Sequence, residues 1–112
     1  MKTEQPILIS SITAGADLSA SKNLLIDFDG TVLGADQKQL GVLNANTNSG
    51  EEAPVTVKGI AMVYSGAAIT LGNELKSNAS GKVITWATSG KVVGYALDAA
   101  TGADELIRVA LL

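Results

Sequence analysis

The chain has 112 residues, 46% hydrophobic and 17% charged, with a formal net charge of −3; this describes one small domain with enough apolar side chain for a core, and argues against wholesale disorder and against sequence-specific nucleic-acid binding. It has no cysteine and no histidine, which removes disulfide scaffolds, thiolate or imidazole metal sites, cysteine nucleophiles and histidine-based triads. The only aromatic residues are Phe28, Tyr64, Trp86 and Tyr95, so the core must be built from Ala, Val, Ile and Leu.

Taken in chain order, the pattern is mostly of period two, cut by glycine and asparagine. The opening Met1-Lys2-Thr3-Glu4-Gln5-Pro6 lacks the basic and apolar regions of a signal peptide. Residues 7–13 read as a first strand, broken at Thr13-Ala14-Gly15-Ala16-Asp17. Residues 24–28 form a second apolar run closed by Asp27-Phe28-Asp29-Gly30, where Asp29-Gly30 is expected to supply the positive-φ positions of a hairpin turn into residues 31–33. A polar stretch, 35–39, precedes a short apolar piece, 40–43. Residues 44–52 carry turn formers and no periodicity, which predicts a surface loop and the most mobile segment of the chain.

Strands then follow quickly. Residues 55–58 and 60–64 alternate on either side of Gly59, a candidate bulge or bend. Residues 67–71 read as a strand, 74–77 as a short polar connection and Asn78-Ala79-Ser80-Gly81 as a turn into a strand over 82–87. Ser89-Gly90 turns into a strand over 91–97, residues 98–104 form a loop and 105–112 the last strand. Gly81-Lys82-Val83-Ile84 is echoed by Gly90-Lys91-Val92-Val93, the mark of two successive hairpin arms with the same turn chemistry. No long segment has helical spacing, although 18–25 and 98–106 each have room for a turn or two. The predicted fold is all-β: a small β-sandwich or partly open, tulip-like β-barrel of short strands. Residues 1–11 make an N-terminal arm and the start of the first strand, and 12–112 a single β domain. No apolar run approaches the length of a membrane span.

The motifs that suggest chemistry fail on their spacing. Residues 25–33, Leu-Ile-Asp-Phe-Asp-Gly-Thr-Val-Leu, closely match the first motif of haloacid dehalogenase-like phosphatases, in which the first Asp is the nucleophile and the second an acid/base. That family also needs Mg²⁺, a later Lys, a later acidic pair and a doubly wound α/β domain; here no Asp-Asp pair follows residue 33 and the rest of the chain reads as strands. Asp27 and Asp29 are therefore read as turn residues. Thr88-Ser89-Gly90-Lys91 resembles the end of a phosphate-binding loop, but Thr85 stands where the earlier glycine belongs and Val92 follows the lysine. Asp27, Asp29 and Asp36 would begin a calcium loop whose twelfth residue is Lys38 rather than Glu. The faint likeness of 67–94 to biotinyl or lipoyl carriers lacks a lysine at the hairpin tip, and Asn78-Ala79-Ser80 is a glycosylation sequon without a signal peptide. Trp86 and Tyr95, on neighbouring expected strands, read as a core or cross-strand pair. Arg108 reads as a solvated edge charge, with an interface salt bridge as the second reading.

The order of features resembles that of the small capsid decoration, or cement, proteins of tailed phages. It runs from Leu24-Leu25-Ile26-Asp27-Phe28-Asp29-Gly30 through Gly41-Val42-Leu43-Asn44, Gly50-Glu51 and Val57-Lys58-Gly59-Ile60-Ala61 to Ser65-Gly66-Ala67-Ala68-Ile69 and Leu71-Gly72-Asn73. Ser80-Gly81-Lys82-Val83, Val92-Val93-Gly94-Tyr95-Ala96-Leu97 and Glu105-Leu106-Ile107-Arg108-Val109 complete it. The resemblance implies a non-enzymatic trimer, similar in role to the lambda head decoration protein, that sits on the major capsid protein at three-fold and quasi-three-fold positions. Such a protein is made in the host cytoplasm, ends on the outer surface of the virion and braces the capsid. It implies no catalytic, cofactor or metal residues and no nucleic-acid or membrane partner. The expected capsid contact is the polar arm, Lys2, Thr3, Glu4, Gln5 and Pro6, extended and able to add a strand to a capsid sheet. The alternative is a surface or adhesion module that binds a host receptor or glycan; an enzyme, resting on Asp27 and Asp29 alone, is the least supported class.

Overall fold

The structure, a computed structural model, describes residues 4–87 and 89–111. Among them are eight strands and no helix: β1 (Gln5–Thr13), β2 (Leu25–Ile26), β3 (Gly41–Leu43), β4 (Glu52–Tyr64), β5 (Glu74–Ser77), β6 (Val83–Thr85), β7 (Gly94–Ala96) and β8 (Leu106–Leu111). All strand pairs are antiparallel, and the path through the sheet is β2-β3-β4-β8-β7-β5-β6, with β1 added to β4. The all-β fold expected from the period-two pattern is a curled half-barrel.

β4 is the axis of the sheet. Its Val55 and Thr56 face Leu43 and Val42 of β3 on one side and Ser10 and Ile9 of β1 on the other. Its Ile60 lies between Gln5 of β1 and Ala110 of β8. β1 therefore covers one edge of β4, and β3 and β8 share the opposite edge. The curl brings the ends of the path together: the Leu25 amide donates to the Gly81 carbonyl (2.8 Å), and the Gly66 amide donates to Val83 of β6 (2.7 Å).

Alternation on β4 turns Ala53, Val55, Ala61 and Val63 inward. Ala61 and Val63 join Leu25, Leu75, Val83 and Ile107 in the larger of two hydrophobic clusters. Ala53 and Val55 join Ala14, Leu18, Ile26 and Leu43 in the smaller. Each fully buried Leu or Ile stabilises the fold by roughly 1.5–3 kcal/mol, so a core without buried aromatics is sufficient here.

The irregularities are informative. Gly59 has φ of 104° and pairs with Pro6, and the register shifts on either side of Leu8, the next paired residue of β1, so the bulge expected there is present. Residues 74–77, read from the sequence as a polar connection, are instead β5, lying between β6 and β7 with Leu75 and Ser77 buried. The strand expected over 67–71 reduces to one bridge, Ile69 to Ala100. The loop over 44–51 is not loosely held: Leu18 and Thr47 exchange backbone bonds of 2.9 and 3.1 Å, Gly50 donates to Ala14 and Ala14 donates to Glu51. Its turn formers are engaged in pairing that no periodicity announces.

Candidate interaction surface

β1 has the sequence Gln-Pro-Ile-Leu-Ile-Ser-Ser-Ile-Thr, with no charge, and of its nine residues eight are exposed and only Ile12 is half-buried. Pro6 pairs with Gly59 and Leu8 with Lys58, so Ile7 is the extra residue of a bulge and stands out at 83% exposure. Leu8 and Ile9 are also exposed, while Ile12 packs on the smaller core cluster. Among the described residues β1 pairs with β4 alone, which makes it an edge strand.

The arm residues fall at its start. Glu4 is exposed and precedes the strand, whereas Gln5 and Pro6 are within β1 and paired to Ile60 and Gly59. Lys2 and Thr3 lie outside the described residues.

The hairpin expected at Asp27-Phe28-Asp29-Gly30 is present, closed by a bridge from Ile26 to Val32. Its turn differs in detail: Gly30 has φ of 82°, but Asp29 is not among the positive-φ residues. The Gly30 amide donates to the Asp27 carbonyl and the Asp27 amide to the Thr31 carbonyl, the pattern of a type I turn followed by a left-handed glycine. A Cβ on Gly30 would stand 2.3 Å from the Thr13 carbonyl oxygen, so the tip is packed against the end of β1. Both aspartates serve this turn. Asp27 Oδ1 accepts the Phe28 amide (2.7 Å); Asp29 Oδ1 accepts the Thr31 hydroxyl (2.6 Å) and amide (3.1 Å). Those bonds hold the Asp29 carboxyl below its ordinary value, and Ser19 does the same for Asp17. Phe28 projects from the tip, 62% exposed.

Among the described residues, ion pairs join Lys76 to Asp36, Lys82 to Asp104 and Arg108 to Asp98. The last corrects the reading of Arg108 as a solvated edge charge. Its Nε and Nη2 donate to Asp98 Oδ2 and Oδ1 (3.0 and 3.1 Å) and its amide donates to the same carboxylate (2.9 Å), which raises the guanidinium further above its usual range. The sequence signal for this was Asp98 at the far end of the preceding loop. Lys38 is shifted down, by burial and by the neighbouring charge of Lys58.

Trp86 and Tyr95 are not on adjacent strands. β5 separates them, and both flank Glu74: the Trp86 amide donates to its carbonyl, and Tyr95 pairs with it from β7. The Trp86 indole closes its own turn by donating to the Gly90 carbonyl (3.0 Å). The glycine echo likewise marks two left-handed turns, at Gly81 and Gly90, but the strands that follow them pair with β5 rather than with each other. An open concavity lined by Ala20, Leu24, Tyr64, Ser80, Lys82 and Asp104 contains the Lys82–Asp104 ion pair. Among the described residues no three acidic side chains are grouped to hold a metal ion, and no helix is long and apolar enough to cross a membrane.

Comparison with known proteins adds what geometry cannot. A family model described as phage cement protein matches residues 3–111. No curated protein matches the chain. Among solved structures, the head fiber gp8.5 N base of bacteriophage phi29 superposes with a TM-score of 0.74 over 94% of this chain and 95% of that one; at 18% identity the likeness is one of fold.

Proposed function

The chain belongs to the phage cement protein family, and from that premise we propose that it binds the major capsid protein on the outside of the head as a trimer at three-fold and quasi-three-fold positions. Membership makes it a structural virion component with a capsid-decorating, stabilising role; the symmetry, the lattice contact and the residues that make it are the proposal. Residues Lys2, Thr3, Glu4, Gln5 and Pro6 make the capsid contact, supported by the polar character of the segment and by its place at the start of an exposed edge strand. The protein is made in the host cytoplasm, catalyses no reaction, and has neither nucleic acid nor membrane as partner.

The family match over nearly the whole chain carries this reading. The physical support is consistent with it: a surface with few charges, whose longest exposed strand is wholly uncharged, is suited to burial against other subunits. Trimeric attachment would multiply a modest contact through effective concentration. The experiment is addition of the purified protein to expanded capsids that lack it. Saturable binding with greater resistance to heat or chelators is expected; no binding, or binding without added resistance, overturns the reading.

A further inference from the structure

The open concavity that holds Lys82 and Asp104 is about 480 Å³ in volume, within the range of small-molecule sites. Three of its lining residues are chain neighbours of the core: Leu24 beside Leu25, Tyr64 beside Val63 and Lys82 beside Val83, the second of each pair fully buried. One step along an extended chain reverses the side-chain direction, so the buried neighbour anchors each lining residue while turning it outward. The walls are also braced to one another. The Tyr64 amide donates to the Asn23 carbonyl (3.2 Å), the Leu25 amide to Gly81 (2.8 Å) and the Asp104 amide to Ser65 (2.7 Å). Asn23 and Asp104 are held at φ of 69° and 63°, a left-handed conformation that Asn and Asp tolerate. The shape is therefore built by the fold before any ligand arrives.

We propose that this concavity binds a neutral mono- or disaccharide. Ala20, Leu24 and Tyr64 give it an apolar side, suited to the C–H face of a sugar ring. Ser80, Lys82 and Asp104 give it a polar side. The ammonium can only donate and the carboxylate can only accept, whereas a hydroxyl does both, so neighbouring sugar hydroxyls can bridge the two. The ion pair is accessible to them: the Asp104 side chain is 67% exposed, and a solvent-exposed pair of this kind is held weakly. The same pair selects against charge. An anion drawn to Lys82 meets Asp104, and a cation drawn to Asp104 meets Lys82, so a net-neutral polyol is the ligand that meets no repulsion. A single open site binds weakly, and copies repeated on one virion would add avidity; that gain, unlike the site itself, rests on the capsid reading above.

The isolated chain contains the whole concavity, so the test needs no capsid and its failure leaves the capsid reading untouched. The purified protein is titrated with glucose, galactose, N-acetylglucosamine and their disaccharides while its amide resonances are followed. At least one sugar should shift the amides of Leu24, Tyr64, Lys82 and Asp104 saturably, with Kd on the order of 1 mM. Asp104→Asn keeps a residue that tolerates the left-handed backbone but removes the charged acceptor, and should weaken binding about tenfold. Tyr64→Leu keeps an apolar wall without the ring, and should weaken it at least about threefold. Unchanged Trp86 fluorescence in both variants shows that the fold is intact. No saturable shift of these amides with any of the sugars at about 100 mM, or sugar binding that Asp104→Asn leaves unaltered, overturns the proposal. Saturation by glycine or by inorganic phosphate without saturation by a sugar also overturns it. Glycine would assign the site to a zwitterion; phosphate would assign it to an anion, whose binding Asp104→Asn would strengthen.

Discussion

Ser65 is fully buried and its hydroxyl has two partners: it donates to the Gly102 carbonyl (2.7 Å) and accepts the Glu105 amide (3.1 Å). The backbone of the same residue exchanges bonds with Asp104 and Glu105, so one side chain ties the loop before β8 to the end of β4. Ser65→Ala leaves a carbonyl and an amide without that partner and is expected to cost about 1–3 kcal/mol, read as a lower urea midpoint with an unchanged slope. An unmoved midpoint would mean that the backbone bonds alone hold the loop. Asp29 gives a pH-dependent case. Its folded pKa lies below the ordinary 3.8 because Thr31 donates to the charged form. The stability it contributes is therefore complete above that value and is lost as pH falls through the folded pKa. Asn at position 29 keeps an acceptor for Thr31 but cannot titrate. Asp29→Asn is expected to leave the thermal midpoint at neutral pH nearly unchanged and to flatten its fall in acid; an equally steep fall would assign acid sensitivity to other carboxylates, of which Asp17 is the first candidate.

At the scale of elements, β4 depends on Gly59. Its φ of 104° costs a non-glycine residue about 1–3 kcal/mol in backbone strain alone. A Cβ there would also lie 2.5 Å from the Gln5 carbonyl oxygen and 2.6 Å from the Ile7 nitrogen, so the start of β1 would have to move. Gly59→Ala should be destabilising and should raise amide exchange in β1, whereas Gly102→Ala, with nothing within 4 Å of its Cβ, should do neither. The position of this bulge was legible in the sequence, since a lone glycine interrupted two alternating runs. β5 was not, although Leu75 and Ser77 alternate with Glu74 and Lys76. A four-residue strand with two charges and a buried serine looks like a connection until its neighbours are known. Ser77 is tolerated inside because its hydroxyl donates to the Gly34 carbonyl (2.7 Å) and accepts the Gln37 amide (3.3 Å), a long-range partnership that no local pattern reveals. Residues 67–71 misled for the converse reason: apolar and glycine-flanked, they pack Ile69 inward yet pair only with Ala100. The candidate surface was partly legible: the uncharged first strand was visible, but its exposure on both faces depends on where β4 ends its other pairings.

At the scale of the molecule, the sequence pattern specified the class, all-β, and left the closure open. Closure depends on backbone bonds between residues far apart, such as Leu25 to Gly81 and Gly66 to Val83, which carry no side-chain signature. Those bonds, and the sharing of β4 between the two hydrophobic clusters, imply that the fold is one cooperative unit despite its divided core. The single tryptophan tests this. Trp86 follows β6, beside β5 and far along the sheet path from β3. Leu43 is fully buried in the smaller cluster, so Leu43→Ala should cost about 2–5 kcal/mol through lost burial and the cavity left behind. If β4 couples the clusters, Trp86 fluorescence and far-ultraviolet circular dichroism will report the same lowered midpoint. A Trp86 midpoint that stays at the value of the unmodified protein while the dichroism shifts would mean that the β1-β3 side unfolds by itself, and that β4 spans two units rather than joining one.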